Sequence, residues 1–326
     1  MDKIDKKLKK FSGTILISID DKIVLNRAYD YKNIEDKVEN KPDTRFAIGS
    51  ISKMFTAIAI MKLYEEEKLD IDESVNKYLK IDNLEDSLKI RHLLSHTSGL
   101  KNFVLCRKEF DLYEDNKAED IVNKIVSMKR NYQNGSKFSY NNTGYLMLAL
   151  IIEKVSKMSF QDYITKNIFL KLDMKDSSFL SKDRKNIACP YRKDILSKVP
   201  HPSVFFGCGD IVSTSIDLSK FISGINTGKI ISKNLLDEMK KTHGKNIFVN
   251  YGYGFMIEDK SEKKSFGHSG SIPNSYASKL TYYEKEKILI VVLSNNIKKI
   301  NFYIPSIMSV QSIEKYLYKI TSRKLI

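Results

Sequence analysis

The sequence predicts an α+β fold: an α/β lobe assembled from both ends of the chain, about residues 1–70 and 225–326, with a mostly helical lobe of about 71–224 inserted between them, the whole forming one unit. Three features predict it. The N-terminal region alternates as a strand pair, the middle carries helical periodicity, and four strand-like runs crowd the C-terminal quarter. In chain order, "GTILISIDDKIVLNRAYDY" (13–31) reads as two strands turning at Asp20–Asp21. After Pro42, "FAIGSISKMFTAIAI" (46–60) reads as the apolar entry to a buried helix that continues through "MKLYEEEKLD". Helical patterns then alternate with loops at "SHTSGL" (95–100), "NYQNGSKFSYNN" (131–142) and "RKNIACPYRKD" (184–194). The four strand-like runs are "YGYGFMIED", "KKSFGHSG", "YASKLTYYE" and "KILIVVLSNN", and "YIPSIMSVQSIEKYLYKI" (303–320) closes the chain as a helix.

The 326 residues, 42% of them hydrophobic, suffice for a substantial core. No run approaches the ~20 apolar residues of a membrane helix, and the charged start "MDKIDKKLKKFSG" lacks the apolar block of a secretory signal. The expectation is a soluble chain, cytoplasmic as it stands or extracytoplasmic if a leader or anchor has been removed. Cys106, Cys189 and Cys208 are odd in number and widely spaced, which fits buried thiols rather than a disulfide framework or a zinc ribbon. The net charge of +15 comes from lysines intermixed with acidic residues along the chain, the pattern of a solvated surface. No nucleic-acid-binding motif accompanies it, so no nucleic-acid partner is expected.

Lys53 is the first anomaly, an ammonium in the middle of an apolar run. On a helix, residues three apart share a face, so Ser50 lies beside Lys53 while Ser52 points elsewhere. Gly49 permits close approach at the helix start, where unpaired N–H groups point outward. A serine there can be deprotonated by a lysine whose charge is disfavoured by burial. The bland alternative is a lysine that snorkels to water and a serine that only caps the helix. In "GSKFSYNNTGY" (135–145), Tyr140 and Asn142 precede an apolar helix. A phenol held near two amines can ionise well below its usual ~10 and act as a base, and Asn142 can offer an amide to a substrate carbonyl. The alternative is an N-capping loop with a packing tyrosine. In "SFGHSGSIP" (265–273), His268, Ser269, Gly270 and Ser271 fall at a strand end. Gly270 would admit the backbone of a peptide-like substrate, and the N–H groups of Ser271 and Ser50 could form an oxyanion hole. The alternative is a surface loop with an ordinary histidine.

Together, "FAIGSISKMFTA", "IRHLLSHTSGL", "KFSYNNTGYLMLALIIEKVS", "GDIVSTSIDLSKF" and "FGHSGSIPNSYAS" resemble, in order and spacing, the serine β-lactamase-related superfamily. The resemblance runs from about Phe11 to Asn296 and points to the branch of class C β-lactamases, low-molecular-weight penicillin-binding DD-peptidases, D-aminopeptidases and esterases. It implies a transpeptidase-like fold with an antiparallel sheet flanked by helices. It also implies a serine hydrolase acting through an acyl-enzyme on the amide or ester bond of a D-amino-acid peptide, a small ester or, weakly, a β-lactam, with a small-molecule or peptide substrate as its partner. By the resemblance Ser50 is the nucleophile, Lys53 its proton partner and Tyr140 a general acid or base. Asn142, Ser269 and Gly270 contact substrate, and His268, which opens the third motif, counts with the catalytic residues. In class C β-lactamases that motif opens with Lys, so efficient β-lactam hydrolysis is not expected here. A histidine with an ordinary pKa near ~6.5 would supply the missing charge only in acid. The "GCGD" of Gly207–Asp210 also departs from the family's usual pair of glycines. The rival expectation is a penicillin-recognition or sensor domain, or a pseudoenzyme, that is acylated without turnover.

Other patterns lead nowhere. His92 and His96 stand four apart, but the position after the first is Leu93, not the Glu of a zinc protease. "GHSGS" misses Gly-x-Ser-x-Gly because residue 271 is Ser. His96 and Ser98 read as a capped helix end, and neither metal nor cofactor is implied.

Overall fold

The computed structural model describes residues 3–9, 11–182, 185–260, 263–297 and 304–322. Arg184 and Tyr303, at which the sequence places the starts of a loop and of the closing helix, lie outside the described residues.

The hairpin forms as its alternation dictates: β1 (Gly13–Ile19) and β2 (Lys22–Tyr29) flank Asp20 and Asp21. Both aspartates adopt positive φ, 49° and 62°, which a two-residue turn requires. The C-terminal quarter forms β3 (Gly244–Lys245), which no strand-like run announces, then β4 (Asn250–Tyr251) and β5 (Met256–Lys260), into which the first run divides, and β6 (Lys263–Ile272), β7 (Tyr276–Tyr283) and β8 (Ile288–Ser294) from the other three. All join one sheet in the order β3-β4-β5-β6-β7-β8-β1-β2. The termini meet where β1 pairs antiparallel with β8, Gly13 opposite Ser294 through Ile19 opposite Ile288.

Strand alternation divides the central sheet between two cores. Leu16, Leu289, Val291 and Leu293 face the main cluster, while Ile15, Ile17, Ile288, Ile290 and Val292 face a second one. The closing helix α4 (Ile304–Ser322) covers that second face with Val310 and Leu317. Each fully buried aliphatic side chain of this kind contributes about 1.5–3 kcal/mol. On the inner face lies α3 (Ser215–Asn226), packed on β1 and β8. Next come α1 (Ser52–Glu65) and α2 (Asn142–Ser156), which pack on each other. Both are apolar nearly all round, as helices enclosed on every side must be. In α2 every residue from Thr143 to Ile152 is buried, and Asn141 caps it by accepting from the Gly144 N–H at 3.2 Å.

One element differs from expectation. Phe46–Ala47 is not helical; it is a short strand paired antiparallel with Ile211–Ser213. Gly49 then takes φ +52°, a single 3-10 turn spans Gly49–Ile51, and the α-helix starts only at Ser52. A short apolar run does not distinguish a buried strand from a buried helix, and pairing with a distant strand decided it. Among the described residues no helix is long and apolar enough to cross a membrane.

Candidate active site

Of the sequence-predicted residues, Ser50, Tyr140, Asn142, Ser269 and Ser271 line one cleft, while Lys53, His268 and Gly270 lie behind it. Gly49 lets this happen: a Cβ there would stand 2.8 Å from the backbone N of Ser271, so a larger residue would push β6 away from Ser50. The turn at Gly49–Ile51 exposes Ser50 to a cleft of about 860 Å³, within the usual size of ligand pockets. Lys53 follows one turn later and is 0% exposed, so it does not snorkel. Its Nζ donates to Ser50 Oγ (3.1 Å), Asn142 Oδ1 (2.8 Å) and the Cys208 carbonyl (2.7 Å). Three donors meet three acceptors, the condition for burying an ammonium without stranding its charge. Ser52, by contrast, turns away and accepts from the Ile211 N–H at 3.1 Å.

Asn142 opens α2 rather than lying in the preceding loop. Its carboxamide lines the cleft, but the oxygen is held by Lys53 and the nitrogen donates to Asn102 Oδ1 at 3.3 Å. Tyr140 also lines the cleft, with the Lys53 Nζ 5.0 Å from its ring centroid. Its hydroxyl is buried and has no hydrogen-bond partner among the described residues. The expected pair of amines is one amine, Lys53, together with the uncharged His268 ring 6.1 Å from the Tyr140 ring.

Alternation along β6 splits the third motif. Ser269 and Ser271 face the cleft, whereas His268 and Gly270 face inward. His268 is 0% exposed: Nδ1–H donates to the Ser269 carbonyl at 2.6 Å, and Nε2 accepts from the Tyr251 hydroxyl at 3.0 Å. Burial, reinforced by Lys53, pushes its pKa down to about 3. This corrects the expectation of a charge that appears in mild acid, because the imidazole stays neutral throughout that range. It also corrects the picture of a histidine reaching the substrate. Gly270 is likewise an internal necessity: its Cβ would lie 1.9 Å from the Ile48 carbonyl oxygen and 2.3 Å from Ser278 Oγ. That side of the strand holds protein, so the glycine admits a neighbouring backbone and not the substrate's. The Ser269 hydroxyl is buried without a partner among the described residues.

The family model described as Beta-lactamase matches residues 2–301. The chain belongs to the beta-lactamase family. It is 29% identical over 312 residues to penicillin-binding protein 4* of Bacillus subtilis (strain 168), covering 88% of this chain and 68% of that protein. Teichoic acid D-alanine hydrolase of Staphylococcus aureus is 28% identical over 312 residues, covering 91% and 73%. Among solved structures, the octameric penicillin-binding protein homologue from Pyrococcus abyssi superposes with a TM-score of 0.80 at 30% identity, over 95% of this chain and 76% of that one.

Two parts of this beta-lactamase-family site escape sequence reasoning. The "GCGD" segment packs beneath α1: the Cys208 carbonyl accepts from Lys53 and the Gly207 carbonyl from Thr56 Oγ1 at 2.7 Å. Burial raises the Cys208 thiol to about 11 and the buried Asp210 carboxyl to about 7. His96 does close its short helix, at φ 59° with its N–H donating to the Leu93 carbonyl and the Thr97 N–H donating to the His92 carbonyl, and its ring is also the wall behind Tyr140, the centroids 4.3 Å apart. Its Nδ1 accepts from the Asn141 N–H at 3.1 Å, which assigns the proton to Nε2. Burial, then Lys53, hold its pKa well below the ordinary histidine value. The partner that fixes His96 is 45 residues away, so no local spacing marks the role.

Proposed function

We propose that the chain is a serine hydrolase in which Ser50 opens an amide or ester bond through an acyl-enzyme. The observation that carries this is the fully buried Lys53, held 3.1 Å from the Oγ of the cleft-lining Ser50. Burying a cation costs several kcal/mol unless its donors are satisfied, and here one of the three acceptors is the nucleophile itself. The attacking form is one proton poorer than this resting arrangement. Ser50 Oγ forms a bond to the carbonyl carbon while its proton passes to the Lys53–Tyr140 pair. The carbonyl π electrons move to oxygen, for which the backbone N–H groups of Ser50 and Ser271 would serve as the oxyanion hole. Collapse breaks the bond to the leaving group, which takes the proton from the same pair. Water then adds to the acyl-enzyme by the same steps, freeing the acid and restoring Ser50. Asn142 and Ser269 serve as polar contacts to the substrate. The similarity to a teichoic acid D-alanine hydrolase supports hydrolysis as the reaction type.

Intact-mass spectrometry with an alkyl fluorophosphonate and with acyl esters tests the reading. An adduct mapped to Ser50, absent in Ser50→Ala and retained in Ser52→Ala, is the expected result. An ester adduct that forms and decays marks an enzyme, whereas one that persists marks a recognition domain. Labelling that survives Ser50→Ala sinks the assignment.

A further inference from the structure

The cleft around Ser50 differs in charge from the molecule that surrounds it. The chain has a formal net charge of +15, and 29% of its residues are charged. Yet among the described residues that line the cleft there is no Asp, Glu, Lys, Arg or His. Its polar groups are hydroxyls and carboxamides, such as those of Ser271 and Asn246. Its walls are apolar, drawn from the turn at Val104 and Leu105, from Phe205, and from Phe248, Val249 and Met256. Leu105 is 71% exposed and Phe248 85% exposed, so the apolar lining continues out to the surface.

The basic groups packed behind Tyr140 do not change this, His96 among them, whose ring is buried with its Nδ1 accepting from the Asn141 N–H. Lys53 is fully buried with its donors spent on Ser50, Asn142 and Cys208. His268 points inward and bonds to Tyr251 and Ser269. A carboxylate or an ammonium on the acyl group would shed hydration on entering and meet no opposite charge among these lining residues, a cost that is large for an unpaired ion. An alkyl or aryl chain would instead displace water from apolar walls, gaining about three- to fourfold in affinity for each buried methylene. We infer that the cleft selects uncharged, apolar acyl groups, taking esters or amides R–CO–X in which R is an alkyl or aryl chain without a carboxylate or ammonium. This rests on the reading of Ser50 as nucleophile, and it narrows the substrate class of that same site.

The test separates binding from chemistry. Hexananilide, glutaranilic acid and 5-(trimethylammonio)pentananilide match in chain length and differ in terminal charge. Titrated calorimetrically against Ser50→Ala protein, the neutral anilide should bind at least about tenfold more tightly than either ion. The corresponding p-nitrophenyl esters, assayed on wild-type enzyme, should show the same order in kcat/KM. Phe248→Lys places a cation on the rim at an exposed position, and should shift the glutaryl-to-hexanoyl ratio at least about fivefold towards glutaryl. Equal affinities for the three anilides, or tighter binding of a charged one, would overturn the inference whatever the enzyme does. A neutral preference in binding with no acyl adduct at Ser50 would instead sink the nucleophile and leave the selectivity standing.

Discussion

The two motifs that meet at Ser50 bury a basic residue in opposite ways. On the helix side, α1 carries Lys53 into the interior and surrounds its Nζ with a hydroxyl, a carboxamide oxygen and a backbone carbonyl. On the strand side, β6 carries His268 equally deep but gives it one acceptor, the Ser269 carbonyl, and one donor, the Tyr251 hydroxyl. Three acceptors suit an ammonium; a donor paired with an acceptor suits a neutral imidazole. A basic residue within an apolar or small-residue run therefore announces burial, and only its partners decide whether charge goes with it. In the proposed mechanism the helix side moves a proton. The strand side is built to hold a backbone still.

The largest test of this contrast is Lys53→Met, which keeps bulk while removing the amine. It should lower kcat/KM by about 10⁴ or more, the scale on which members of a nucleophile–base unit act, with circular dichroism unchanged. A loss under tenfold would mean that Lys53 is a structural cation only. Next comes Gly270→Ala on the strand side. A Cβ 1.9 Å from the Ile48 oxygen forces β6 away from the turn bearing Ser50, so unfolding free energy should fall by about 3 kcal/mol or more. A fall below 1 kcal/mol by urea denaturation would show that the strand has slack.

Legibility followed the distance over which each feature is encoded. The Asp20–Asp21 hairpin and the Ser50–Lys53 pair are local, set by period 2 and by one helical turn, and the sequence discloses them. Strands β6, β7 and β8 are legible for the same reason, whereas β3 is not and the first run divides into β4 and β5. The strand order is not legible, because the placement of β1 between β8 and β2 rests on pairings such as Gly13 with Ser294. Within the site, the third acceptor of Lys53 is a main-chain oxygen 155 residues away, which no side-chain motif encodes. The state of His268 was hidden in the same way: alternation places it on a strand, but only the fold shows that its face is the inner one. Phe46–Ala47 departs from the expected helix because its strand partner, Ile211–Ser213, lies far along the chain.

Tyr140→Phe sharpens the helix side at smaller amplitude. Turnover should drop by about 10², the usual contribution of a positioned proton-transfer group. The melting temperature should hold or rise, since the buried hydroxyl has no partner among the described residues and its loss strands nothing. Unchanged turnover would reduce Tyr140 to cleft wall, while a marked loss of stability would mean that its hydroxyl is satisfied by something other than substrate.

The smallest effect isolates the strand side through pH. A histidine lowered to about 3 by burial and Lys53 contributes stability in full above its unfolded pKa of ~6.5. That contribution is lost as pH falls towards the folded value, because the unfolded chain binds the proton first. At pH 5 the loss for His268 alone is about 2 kcal/mol. The wild-type curve will not show it cleanly. His96, also lowered, adds a loss of the same sign. Asp210, raised to about 7, acts oppositely, gaining stability as pH drops below that value towards the ordinary carboxylate range. The difference between wild type and His268→Gln removes both shared contributions. Measured by urea denaturation, that difference should shrink by about 2 kcal/mol between pH 7 and pH 5. Over pH 5.5–8.5 the kcat/KM ratio of an anionic to a neutral ester should stay flat in the wild type, since His268 carries no charge in that window. A ratio that climbs in acid, with a constant stability difference, would restore His268 as a titrating group in contact with substrate.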